Sequence, residues 1–125
     1  MYIEYNPNPL GVKVGDCAVR AVAKAIGATW DTAFADIALA GFVMGDMPSS
    51  NSVWGSVLRQ EGFTRHAIPT ECPDCYTVGE FADEHPRGIY VVGTGSHVVT
   101  VRDGVVIDSW DSRQEIPVYY WTREE

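Results

Sequence analysis

Apolar positions in the first half of the chain recur at helical spacing, while those in the last third form short, nearly continuous runs. The run CAVRAVAKAI places Cys17, Ala21 and Ala25 on one face with Val22 and Ile26 beside it. It predicts a helix that opens at Cys17, is capped by Asp16 and stops at Gly27. Trp30, Phe34, Ile37 and Ala38 repeat the spacing over about 30–40, between a Thr29 cap and Gly41. Residues 52–61 predict a third helix through Val53, Val57 and Leu58, closed by Gly62. Thr77-Val-Gly-Glu80 has the form of a capping box for a short helix reaching about Glu84, with Pro86 blocking its extension.

Strands fill most of the remainder. Residues 63–68 predict a short one, then GIYVVG (88–93), SHVVTV (96–101), VVIDSW (105–110) and IPVYYW (116–121). Asp103-Gly104 is a hairpin turn signal between the second and third of these four. Residues 1–15, with NPNP and scattered glycines, read as an extended or turned lead-in. Helices first and strands last predict an α+β fold, with N-terminal helices packed on a C-terminal antiparallel sheet. The Ala-rich helix at Cys17 suits close packing on that sheet. No repeat or linker divides the chain, so residues 1–125 are expected to form a single domain.

Composition narrows the function classes. The 125 residues are 46% hydrophobic, enough for a real core, and carry a formal charge of -8. Such an acidic balance argues against general binding to nucleic acid or to an anionic membrane. Neither a signal-peptide pattern nor an 18-residue apolar stretch is seen, which leads to the expectation of a cytoplasmic setting. Three cysteines (Cys17, Cys72 and Cys75) do not read as a disulfide framework.

Cys17 occupies the position where a thiol is easiest to ionise. The free N–H groups and positive dipole end of a helix favour the thiolate there. Gly15 lets the backbone turn sharply and approach a substrate, and the Cys17 N–H is a natural donor to an oxyanion. Asp16 opposes ionisation of its neighbour unless its charge is engaged elsewhere, as in capping. In the hairpin, a two-residue Asp103-Gly104 loop pairs Arg102 with Val105. Counting outward sets Val99 opposite Asp108 and His97 opposite Trp110, so that His97, Val99, Val101, Val106, Asp108 and Trp110 share a face. Asp108 is then the diagonal neighbour of His97, while Asp111 falls on the other face. The pair is readable either as a buried hydrogen bond that satisfies itself or as the base and orienting acid of a site with Cys17.

GDC at the head of an Ala-rich helix, followed by GSHVV on one strand and DSW on the next, resembles the papain-like cysteine peptidases. It is closest in look to the small C39-like type found in bacteria and phages. The resemblance runs from about Tyr5 to Trp121 and implies a papain-like fold and hydrolysis of an amide through a thioester. It implies Cys17 as nucleophile, His97 as base, Asp108 in the place of the family's Asn, and Trp110 as a shield over the pair. It calls for no metal or organic cofactor, and for a peptide or protein as substrate. The family's Gln six residues before the Cys is Gly11 here. Asn8 or Asn6 is the candidate for the second oxyanion donor, with Asn51 as a remoter option. The same resemblance allows a catalytically weak or inactive member that binds a peptide or a protein.

Other features weigh less. Cys72-Pro-Asp-Cys75 is readable as half a zinc site, a redox pair or an ordinary loop. His66 and His85 read as surface residues, and Trp54, Tyr119, Tyr120 and Trp121 as packing. Arg20, one turn after Cys17, either pairs with an acid or points to solvent. The loop through Met44, Met47, Pro48 and Ser49 is placed to border a cleft.

Overall fold

A computed structural model describes residues 1–69 and 76–124. The elements run β1 (Tyr2–Glu4), α1 (Cys17–Ile26), α2 (Trp30–Met44), α3 (Asn51–Gln60), β2 (Thr64–Ala67), α4 (Val78–Glu84), β3 (Ile89–Gly93), β4 (Val98–Arg102), β5 (Val105–Asp108) and β6 (Tyr119–Arg123). The fold is α+β. The strands form one sheet in the order β1-β5-β4-β3-β6-β2. The expected antiparallel sheet is in fact mixed, because β1 joins β5 in parallel, Tyr2 beside Val106 and Glu4 beside Asp108. That strand lies in the segment read as an extended or turned lead-in.

Local chemistry accounts for most boundaries. Gly27 ends α1 in the left-handed conformation (φ 71°). Thr29 caps α2 by accepting from the Thr32 N–H at 3.2 Å, and Thr77 caps α4 by accepting from Glu80 at the same distance. α2 passes through Gly41, which was expected to stop it, and ends at Gly45 (φ 69°). Gly41 serves packing instead: a Cβ there would sit 2.8 Å from the Asp46 carbonyl oxygen, where the chain folds back over the helix. β6 starts at Tyr119 rather than at 116, since Pro117 has no N–H to give to a ladder. Asp103 (φ 50°) and Gly104 (φ 78°) form the two-residue turn, and Arg102–Val105, Val101–Val106 and Thr100–Ile107 pair in the predicted register.

The central sheet is covered on both faces, so β3 and β4 are buried along most of their length. On one face Ile89, Val91, Val98, Tyr119 and Trp121 meet α1, α2 and α3, with Trp54 and Leu58 at the centre. Thr100 faces the same way and donates to the Ala21 carbonyl at 3.0 Å. On the other face Val92, Val99, Val101 and Val106 pack under Val78, Phe81 and Ala82 of α4. Among the described residues, no helix is long and apolar enough to cross a membrane.

Candidate active site

β3 ends, β4 begins, β5 ends and β6 begins at the same end of the sheet, and α1 opens there. His97 lies just before β4 and Asp108 is the last residue of β5. Their face-mates by alternation, Val99, Val101 and Val106, lie under α4. The helix carrying Cys17 covers the opposite face. His97 and Asp108 meet α1 because both stand at the strand ends, where side chains reach past the last rung of the ladder. The hairpin register thus brings His97 and Asp108 together, while the valine face they share by alternation packs on a different helix from the one that carries Cys17.

The His97–Asp108 contact is short, with Nε2 2.6 Å from Asp108 Oδ2. His97 also shares a hydrogen bond with the Cys17 thiol, for which Nδ1 is the remaining ring nitrogen. Burial disfavours the imidazolium, but the hydrogen bonds to Asp108 and Cys17 and the negative charges of both outweigh it and push His97 up to about 9. At Cys17 burial likewise opposes ionisation. The His97 hydrogen bond, the Val98 amide and the charges of His97 and Arg20 prevail and hold the thiol below its ordinary value. The two shifts act in the same sense, each favouring the thiolate–imidazolium form of the pair.

Asp108 is 1% exposed and saturated. Besides His97 it accepts from Ser112 Oγ (2.6 Å), the Ser109 N–H (2.7 Å) and Arg20 Nη2 (2.9 Å). Burial raises its carboxyl, but the His97 and Ser112 hydrogen bonds, the His97 charge and the Ser109 amide hold it below the usual carboxylate range. Asp103 and Asp111 lie elsewhere: the first accepts from the Gly88 N–H, and the second pairs with Arg113 at 2.7 Å.

Arg20 is the residue whose reading was left open, and it is buried (6% exposed). It bridges Asp108 and Asp16. Asp16 does not cap α1 through its side chain, a correction to the expectation. Its carboxylate is held instead by Arg20 and by the Trp30 indole N–H at 2.8 Å. The charge beside the thiol is thus neutralised by Arg20 rather than by helix amides. Ser112 and Trp30 had no distinguishing signal in the sequence, since both act across folded distances.

A cleft of about 540 Å³ opens on Cys17 and His97. Its apolar wall includes Trp30, Phe34, Ile37, Trp54, Val98 and Tyr119, and Pro48 and Ser49 border it as expected. Gly15 lines the cleft, and a Cβ there would meet nothing within 4 Å. Trp110 is half exposed and lies against His97, ring centroids 4.8 Å apart. Asn6 and Asn8, the expected oxyanion donors, are engaged within the lead-in. Asn6 donates to the Val12 carbonyl (3.4 Å), and Asn8 accepts from the Leu10 N–H (2.8 Å). Neither lines the cleft, whereas Asn51, at the start of α3, does.

His66 is exposed and stacks on Tyr120, and His85 bonds the Phe81 carbonyl at 2.6 Å. Cys72 and Cys75 lie outside the described residues. Among the described residues, no three His, Cys, Asp or Glu side chains are grouped to hold a metal ion. The chain matches no protein-family model, no curated protein and no solved structure.

Proposed function

We propose that this protein is a papain-like cysteine hydrolase that cleaves an amide, a peptide or isopeptide bond, through a thioester. One observation carries the reading: a buried imidazole bonded on one side to a saturated carboxylate and on the other to a helix-initial thiol at the mouth of a cleft. The Cys17 thiolate attacks the carbonyl carbon, forming a C–S bond and an oxyanion that the Cys17 N–H faces. The oxyanion collapses, the C–N bond breaks, and His97 gives its proton to the leaving amine. Water then attacks the thioester with His97 as base, the C–S bond breaks, and thiol and acid are released. Asp108 fixes the tautomer and tilt of His97 throughout.

The test uses a library of fluorogenic peptide amides. Wild-type protein turns over at least one, Cys17→Ala turns over none while keeping its fold, and an acyl-enzyme is trapped by acid quench and seen by mass. If iodoacetamide modifies Cys17 no faster than it modifies an unstructured thiol, the reading is lost. A second reading, a catalytically weak member of the same type that binds a peptide or protein, is favoured by the placement of Asn6 and Asn8 away from the cleft. It predicts fast alkylation of Cys17 without turnover.

A further inference from the structure

Beside the cleft lies a second recess of about 170 Å³. It shares Asn51, Trp54 and Tyr119 with the cleft, so the two form a continuous surface. Arg59 and Arg65 also line it. The Arg59 guanidinium lies over the Trp121 ring, 5.1 Å from its centroid, and that of Arg65 over the Tyr119 ring at 4.2 Å. Stacking of this kind restrains the guanidinium while leaving its N–H groups outward. Among the described residues neither arginine has a carboxylate partner, although the chain carries 17 Asp and Glu against 9 Lys and Arg. Trp121 lines it as well, 3% exposed, with a buried indole N–H that has no hydrogen-bond partner. Two restrained cations without carboxylate partners, beside the cleft that holds Cys17, are what a bound carboxylate requires.

We infer that this recess is an anion subsite of the cleft, taking a carboxylate of the substrate while the adjacent apolar wall takes a large apolar side chain. The inference rests on the hydrolase reading for the identity of the occupant as substrate. The carboxylate is an acidic side chain or the free end of a peptide, and Arg59 and Arg65 are the residues that select it. Asn51 and Ser52, at the exposed start of α3, supply neutral donors on the same rim.

The experiment is protection of Cys17 from iodoacetamide by three short peptides with one apolar core: one with Glu, one with Gln in its place, and the Gln peptide with a free rather than amidated C-terminus. Modification is read by mass at Cys17. One of the two acidic peptides is expected to protect at about tenfold lower concentration than the neutral one, and which one does so names the source of the carboxylate. Added salt reduces the advantage, and Arg59→Gln/Arg65→Gln, with protection read against its own unprotected iodoacetamide rate, abolishes it. Equal protection by all three peptides, or an advantage that survives in the double variant, overturns the inference. Should Cys17 prove unreactive, the hydrolase reading fails by itself. The subsite is then judged by titrating the same peptides against the indole N–H signals of Trp54 and Trp121, with the same tenfold criterion and the same double variant.

Discussion

The two faces of the sheet are built for different ends. Under α4 the packing is apolar: Val92, Val99, Val101 and Val106 meet Val78, Phe81 and Ala82, with the partly buried Tyr90, His85 and Tyr120 around the Phe81 ring. Under α1, α2 and α3 the core is larger, yet it opens into a cleft at the end of the sheet. There a chain of buried polar groups runs from Trp30 through Asp16, Arg20 and Asp108 to His97 and Cys17. An apolar layer confers stability without directing chemistry. A buried polar network costs desolvation, and it is tolerable only when every member has a partner. Asp108, with four partners, meets that condition.

This contrast is broken most severely at Asp108. Asp108→Ala is expected to cut the rate of any Cys17-dependent turnover on the order of a thousandfold or more, because His97 loses its orienting acceptor. It also moves the pH profile. In wild type His97 keeps its proton up to about 9. The Asp108 hydrogen bond is the largest influence raising that value, so in Asp108→Ala the alkaline limb of turnover, which needs the imidazolium as acid, moves down toward 6.5. The stability profile changes in the opposite range. Asp108 is held below its ordinary value when folded, so its contribution is present above about 3.9 and disappears as pH falls through the folded value. Acid denaturation followed by circular dichroism should lack that contribution in Asp108→Ala.

Next in size is Arg20→Gln, which leaves Asp16 and Asp108 buried with one partner fewer and is expected to cost about 3–5 kcal/mol in urea unfolding. Phe81→Ala probes the face under α4 and is expected to cost a similar 3–5 kcal/mol. The two differ in the second readout. In Phe81→Ala the folded protein keeps wild-type Cys17 alkylation kinetics, and a slowed thiol there would mean that the faces are not independent. The smallest effect is expected at Trp110→Ala, which uncovers His97: about threefold to tenfold on turnover, in line with one aromatic contact of roughly 0.5–1.5 kcal/mol. Its urea midpoint should stay close to that of wild type, since Trp110 is half exposed.

Glycine shows how far a single residue type can be read. Gly27 and Gly104 carry positive φ where a stop and a turn were expected. Gly41 carries the same one-letter signal but is a site of close approach inside a helix. Gly93 is a third kind: a Cβ there would fall 2.0 Å from the Tyr119 ring, so the missing side chain is what lets Tyr119 lie flat on β3 and line the cleft. Stop, packing contact and ring seat are indistinguishable along the chain, since the atoms that decide between them come from residues 46 and 119.

By itself the sequence determined the features that depend on near neighbours. These are the helix opening at Cys17, the Thr29 and Thr77 caps, and the Asp103-Gly104 turn whose register selects Asp108 over Asp103 and Asp111. Each rests on backbone preferences that act within a few residues. Tertiary structure alone decided that β1 joins β5, that α1 lies on the face opposite Val99 and Val101, and that Arg20 spans 88 residues to hold Asp108. It also decided that Asn51, rather than Asn6 or Asn8, stands at the cleft. Such pairings depend on which surfaces meet once the apolar faces are buried, and no local periodicity carries that information.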